Sequence, residues 1–132
     1  MTKTNIGLNL LSTVEQEILD QAYPRFSAAE ISQRRNKLIA EMAEQNLDAL
    51  VVAEFLFTGS AVHWLTNWPA TTASIAILTP DHPVQVIIEH YNHIPHAKKM
   101  VTEAKVLWGE RDPLSIASNL LKSIRPSTRR LG

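Results

Sequence analysis

The chain has 132 residues, is 45% apolar and 20% charged, and balances 13 Lys plus Arg against 13 Asp plus Glu. That length suits one domain, whose folding buries roughly two-thirds of the unfolded chain's surface without a staple. Neutrality removes the long-range pull on which nucleic-acid and anionic-membrane binding rest. The absence of cysteine removes disulfides, thiolate nucleophiles and thiolate metal sites.

"LLSTVEQEILDQAY" opens with a capping box, Ser12 followed by Glu15, and predicts a short helix over 12–22 that Pro24 ends. A second capping box, Ser27 with Glu30, opens the strongest helix, with Ile31, Leu38 and Met42 on one face and Arg34, Arg35 and Lys37 mostly outward. Asn46 closes it in a left-handed conformation. "DALVVA" (48–53) reads as a strand buried on both faces. After the aromatic stretch "EFLFTGSAVHWLTNWPA", "TASIAILT" and "VQVIIE" form a hairpin across "PDHP". Val84, Val86 and Ile88 share one of its faces. A short helix over 93–101 follows, with Asn92 as its cap and Pro95 in its first turn. "KVLW" is a fourth strand. "DPLSIASNLLKSI" is a helix capped by Asp112, with Leu114, Ala117, Leu121 and Ile124 as its core stripe and Leu120 widening it. Interleaved helices and strands with one tight hairpin predict a three-layer α/β/α domain around a mixed central sheet.

No apolar run approaches the roughly 20 residues that span a bilayer. "MTKTNIGLNLLSTVEQE" lacks the apolar centre of a secretory signal, so a cytoplasmic protein is expected, in keeping with the missing cysteines.

Among candidate chemistries, "EHYNHIPHA" draws attention, with His90, His93 and His96 at three-residue spacing. On a helix such a triplet turns through about 120°, at 100° per residue, so its members do not converge on one ion. Pro95 also disturbs the helix there. No metal ligand set is expected in this chain. Ser60, His63 and several aspartates could compose a hydrolase triad, but "TGSAV" lacks the second glycine of a nucleophile elbow. With four glycines, no phosphate-cradling loop is present. No catalytic residue is therefore assigned. Trp64 and Trp68 lie four apart in "HWLTNWPATT". Trp64 reads as core, and Trp68, beside Pro69, as a ring meeting another chain or a ligand.

The order of these segments resembles the N-terminal domain of the creatinase/prolidase/aminopeptidase P family, the pita-bread metallopeptidases and their non-peptidase relatives. Phe26 and Ser27 lead into "RRNKLIAEMAEQNLDALVV", followed by "HWLTNW", the hairpin "IAILTPDHPVQVII" and "YNHIPHAKKM". The similarity runs over roughly residues 25–125. The family often carries Asn three residues before the first aromatic, and Gly after the Thr; Ala61 and Asn67 stand there in this chain. The resemblance implies residues 1–24 as a helical extension and 25–132 as a creatinase-type N-terminal domain, with the catalytic C-terminal pita-bread domain absent. It implies a divalent metal pair in that missing domain if the parent is a peptidase, and no cofactor in this chain. As partners it implies a homodimer and a pita-bread domain of the same or a neighbouring subunit. His63, Trp68 and Pro69 would line a substrate or subunit boundary and gate a neighbour's active site. Two other readings stay open: a free-standing binding module derived from the family, and a small His-dependent hydrolase.

Overall fold

The structure is a computed structural model and describes residues 12–15, 25–56 and 59–132. At its start the first capping box is formed: the Ser12 amide donates to Glu15 Oε2 at 2.7 Å and the Glu15 amide to Ser12 Oγ at 3.3 Å. The rest of the helix expected over 12–22 lies outside the described residues.

Helix α1 (Ala28–Glu44) begins where the second capping box predicts, with the Glu30 amide donating to Ser27 Oγ at 3.1 Å. Beyond its end Asn46 takes φ 57°, the left-handed turn expected of it. Strand β1 (Leu50–Glu54) leads to the short helix α2 (Ala61–Thr66), and β2 (Ser74–Thr79) and β3 (His82–Ile88) form the hairpin. A 3₁₀ turn at Tyr91–His93, helix α3 (Ile94–Met100), strand β4 (Ala104–Trp108) and helix α4 (Pro113–Ile124) complete the chain. The sheet order is β1-β2-β3-β4, antiparallel at the first two joints and parallel at the third. It is the mixed sheet that the sequence pattern predicts.

The two-residue alternation of the hairpin sends its apolar side chains to opposite faces. Ala76, Leu78, Val84, Val86 and Ile88 meet Met42 of α1, Val62 and Leu65 of α2, and Ile94, Ala97 and Met100 of α3. Ile75, Ile77 and Ile87 face the other way, against Ala117 and Leu121 of α4. Helices therefore cover both faces, and β2 and β3 are the strands buried on both sides. Each fully buried Ile or Leu there stabilises the fold by roughly 1.5–3 kcal/mol.

Four expectations need correction. Strand β1 is the sheet's edge and only half-buried, because the C-terminal residues rather than another central strand lie beside it. There Gly132 donates its amide to the Ala49 carbonyl at 3.0 Å, and Val51 its own to the Gly132 carbonyl at 3.1 Å. Asn92 does not cap α3: it sits inside the 3₁₀ turn, and the cap position falls on His93, which makes no side-chain capping bond. Arg35 points inward rather than out and is buried. Leu114 is exposed, because α4 meets the sheet through Ala117 and Leu121 one to two turns further on.

Candidate functional site

The segment from Glu54 to Ala70 carries the residues of greatest interest. The Glu54 carboxylate is buried at the end of β1 and accepts the Val62 amide at 3.0 Å, which fixes the start of α2. Its Oε2 is buried and has no hydrogen-bond partner among the described residues. Helix α2 is six residues long and turns Val62, Leu65 and Thr66 inward. At about 100° per residue that leaves His63 and Trp64 on the outer side.

Asn67 ends α2 at φ 70°, a conformation open to glycine and tolerated by asparagine. This accounts for Asn67 at a position where the similar family often carries glycine. Its buried side chain binds the backbone of Phe26 through both atoms and donates to Thr102 Oγ1 at 2.9 Å.

Trp68 is 4% exposed and Trp64 41% exposed, the reverse of the sequence expectation. The left-handed turn at Asn67 folds the next residue back under the sheet. Trp68 Nε1 donates to Ser74 Oγ at 3.2 Å, and its backbone amide to Thr66 Oγ1 at 3.1 Å. Its ring packs against those of His93 and His96, with centroids 5.9 and 6.1 Å away. Trp68 is thus a core residue of this domain. Of the residues singled out from sequence beside it, His63 is half-buried and Pro69 exposed.

What sequence reading missed is the ladder outside. The Arg34 guanidinium carbon lies 3.8 Å from the Phe26 ring centroid and 4.9 Å from that of Trp64. Cation–π attraction holds it there, helped by an ion pair with Glu30 at 2.8 Å and donation to the Trp64 carbonyl at 2.9 Å. His63 closes the row, its ring 5.6 Å from Phe26. The result is a strip in which exposed Phe26 and Trp64 flank half-buried Arg34 and His63, rich in the residue types that anchor interfaces. The i, i+3 spacing of Val62 and Leu65 is the signal that would have turned Trp64 outward.

Beneath the strip Arg35 donates to three carbonyls, of Leu65 at 3.1 Å, Glu103 at 3.0 Å and Thr102 at 2.7 Å. Burial draws its pKa down from the usual guanidinium value, and the Glu103 charge opposes that shift. One buried cation thus ties α1 to α2 and to the turn before β4.

The histidine row does not form a ligand set. His90 and His93 stand edge to face at 5.5 Å, while His93 and His96 lie against Trp68. Among the described residues no three His, Cys, Asp or Glu side chains come together as a metal site would require. Nor is any described helix long and apolar enough to cross a membrane.

No family model matches the sequence, and no curated protein is similar to it. Solved structures are. An Xaa-Pro aminopeptidase from Streptococcus pyogenes superposes with a TM-score of 0.63 at 23% identity, over 75% of this chain and 70% of that one. The N-terminal, creatinase/prolidase-like domain of a Corynebacterium diphtheriae protein described as a metallopeptidase gives 0.56 at 18% identity, over 67% of each. Prolidase from Pyrococcus furiosus gives 0.57 at 18% identity, over 74% of this chain but 26% of its own length. The chain therefore has the fold of a creatinase/prolidase N-terminal domain, as the order of its motifs predicts.

Proposed function

We propose that this chain is the non-catalytic N-terminal domain of a creatinase- or Xaa-Pro-peptidase-like hydrolase. In this reading residues 25–132 are the domain and residues 1–24 an extension. Its work is oligomerisation and the gating of substrate at a neighbouring subunit's active site, in the cytoplasm. The observation that carries the reading is the exposed Phe26–Arg34–Trp64 ladder on a fold found as the N-terminal domain of such a protein. Large rings held in place by a cation, with Phe26 37% and Trp64 41% exposed, are preorganised for contact. His63, whose ring lies 5.6 Å from Phe26, shares the role, with Trp64 as the outward ring, and exposed Pro69 lies five residues after it in the chain.

The described residues offer no ligand set for the metal pair that a peptidase parent would need. The donor set is wrong: no cluster of carboxylates and histidines converges among the described residues. No step of catalysis is assigned to this chain, and the divalent ions belong to the pita-bread domain that it would accompany.

The test has two arms. The 132-residue chain, supplied with manganese, cobalt or zinc, should hydrolyse no Xaa-Pro dipeptide; metal-dependent turnover would overturn the reading in favour of a small hydrolase. Mixed with a separately produced pita-bread catalytic domain from the same organism, it should bind and alter KM for that dipeptide. Trp64→Ala should lose both effects. Failure of the intact chain to bind any such domain leaves a free-standing module and removes the gating role.

A further inference from the structure

A cleft of about 280 Å³ opens between α1 and the β2–β3 hairpin, with the turn before β4 at its edge. Ile39, Leu78 and Val84 give it an apolar wall, and its polar groups come from α1 and that turn. No residue of the aromatic ladder lines it. An apolar pocket with a few convergent polar groups is the usual form of a small-molecule site. An apolar cavity of about 150 Å³ already admits benzene, so this one has room for roughly nine to twelve non-hydrogen atoms.

Two opposite charges line the cleft without pairing. Arg35 is only 7% exposed, yet among the described residues it takes part in no ion pair. Three of a guanidinium's five N–H groups go to the carbonyls of Leu65, Glu103 and Thr102, which leaves two over. A buried cation served only by neutral acceptors is short of an anion. Glu103 carries the other charge. It stands at φ 45°, where glycine or asparagine would sit at less cost, so the backbone alone gives no reason for an acid there. Strain of that kind gathers at ligand sites. Its exposed carboxylate accepts from Ser32 Oγ at 3.2 Å. Burial lowers the Arg35 pKa, and the Glu103 charge is near enough to oppose that fall.

We propose that this cleft binds a free α-amino acid with an aliphatic side chain. Its carboxylate accepts from the two remaining N–H groups of Arg35 and from the Asn36 amide at the rim. Its ammonium donates to Glu103 and to Ser32 Oγ, and its side chain lies on Ile39, Leu78 and Val84. Pairing with both charges is what favours the zwitterion. A simple acid would answer Arg35 but lie beside the like charge of Glu103, and a simple amine would answer Glu103 but lie beside Arg35. Leucine and isoleucine match the space. The site shares no residue with the Phe26–Arg34–Trp64 ladder, so it stands whether or not the gating role does.

Titration of the full, isotope-labelled chain with L-leucine, followed by NMR amide shifts, tests it. The expected result is saturable shifts at Ser32, Asn36, Leu78 and Glu103, with a Kd of roughly 0.1–3 mM for a ligand of this size. Isocaproate, which lacks the ammonium, and isoamylamine, which lacks the carboxylate, should each bind at least about tenfold more weakly. Glu103→Gln keeps the backbone carbonyl and an oxygen for the Ser32 hydroxyl, so the fold should persist. It should weaken leucine about tenfold and leave isocaproate no weaker. Asn36→Asp, at an exposed position, should weaken leucine and isocaproate while sparing isoamylamine. The absence of any saturable shift with leucine overturns the proposal, as do shifts confined to another face. Isocaproate or isoamylamine binding as tightly as leucine would overturn it too, and so would leucine binding indifferent to Glu103→Gln.

Discussion

Asn67 and Phe26 clasp each other: Asn67 Oδ1 accepts the Phe26 amide at 2.8 Å, and its Nδ2 donates to the Phe26 carbonyl at 2.9 Å. The side chain thereby imitates one rung of a β-ladder between segments 41 residues apart. It locks the approach to α1 against the exit from α2, and so fixes the spacing of the aromatic ladder between them.

Asn67→Gly keeps the left-handed backbone but removes three hydrogen bonds from a buried position. At about 1 kcal/mol net per bond, and more for any polar group left stranded, it should cost about 2–4 kcal/mol. Asn67→Ala loses the same bonds and adds roughly 1–2 kcal/mol for holding a Cβ at positive φ. Urea melts should rank the wild type above Gly and Gly above Ala. Equal stability of all three would mean that the clasp contributes nothing.

The two tryptophans should respond in opposite ways. Trp68 lies in the core, and truncation to Ala should cost roughly 3–5 kcal/mol. Trp64 is half exposed, and its truncation should cost about 1 kcal/mol or less, mostly the cation–π contact. A thermal melt of each single mutant decides the matter. If Trp64→Ala proves the more damaging, the ladder is a structural brace and its role as a contact surface fails.

Arg34 and Arg35 are neighbours with unequal tasks. Arg35→Met fills similar space but leaves three carbonyls, of Leu65, Thr102 and Glu103, without their donor. The Leu65 bond is buried and the other two part-buried, and stranded buried acceptors cost about 1–3 kcal/mol each, so a loss of roughly 3 kcal/mol is expected. Arg35→Lys should recover only part of it, since one ammonium cannot reproduce the planar fork. Arg34→Met should stay near 1 kcal/mol, because its ion pair with Glu30 is partly exposed. Denaturant midpoints compared at constant slope give the ranking.

Much of this architecture is legible in the sequence, and the gaps have physical causes. Capping boxes at Ser12 and Ser27 and the two-residue alternation of the hairpin act over a few residues, so local pattern specifies them. Arg35 is different. Its carbonyl partners sit 30 to 68 residues away, and nothing local separates a solvated arginine from one that satisfies a distant turn. Edge status is equally non-local: "DALVVA" is as apolar as a central strand, and only tertiary pairing puts β1 at the sheet's margin. The exchange of roles between Trp64 and Trp68 follows from a six-residue helix and one left-handed asparagine, too brief a signal for periodicity to detect.

The last prediction concerns acid. Asp48 accepts the amides of Arg129 at 2.9 Å and Arg130 at 3.0 Å, pinning the C-terminal segment along β1. Those two donors hold its pKa below the ordinary carboxylate value; desolvation pulls the other way, and the charges of Arg125 and Arg129 assist the lowering. A carboxylate whose native pKa is depressed binds a proton more readily in the unfolded chain. Its stabilisation is therefore complete above the unfolded pKa of about 3.9, and disappears as pH falls through the lower native value. Pairing of residues 129–132 with β1 should accordingly be constant between about pH 5 and 8, and should loosen below about pH 4. Hydrogen-exchange protection of the Arg129, Arg130 and Gly132 amides, corrected for intrinsic rates, should drop in that acid window ahead of the β2–β3 amides. In Asp48→Asn the side-chain oxygen still accepts but does not titrate, so protection should start lower and lose this acid step. A step that persists in the variant would place the acid sensitivity elsewhere, with Asp81 the next group to replace, since it too is held low beside His82 and Arg125.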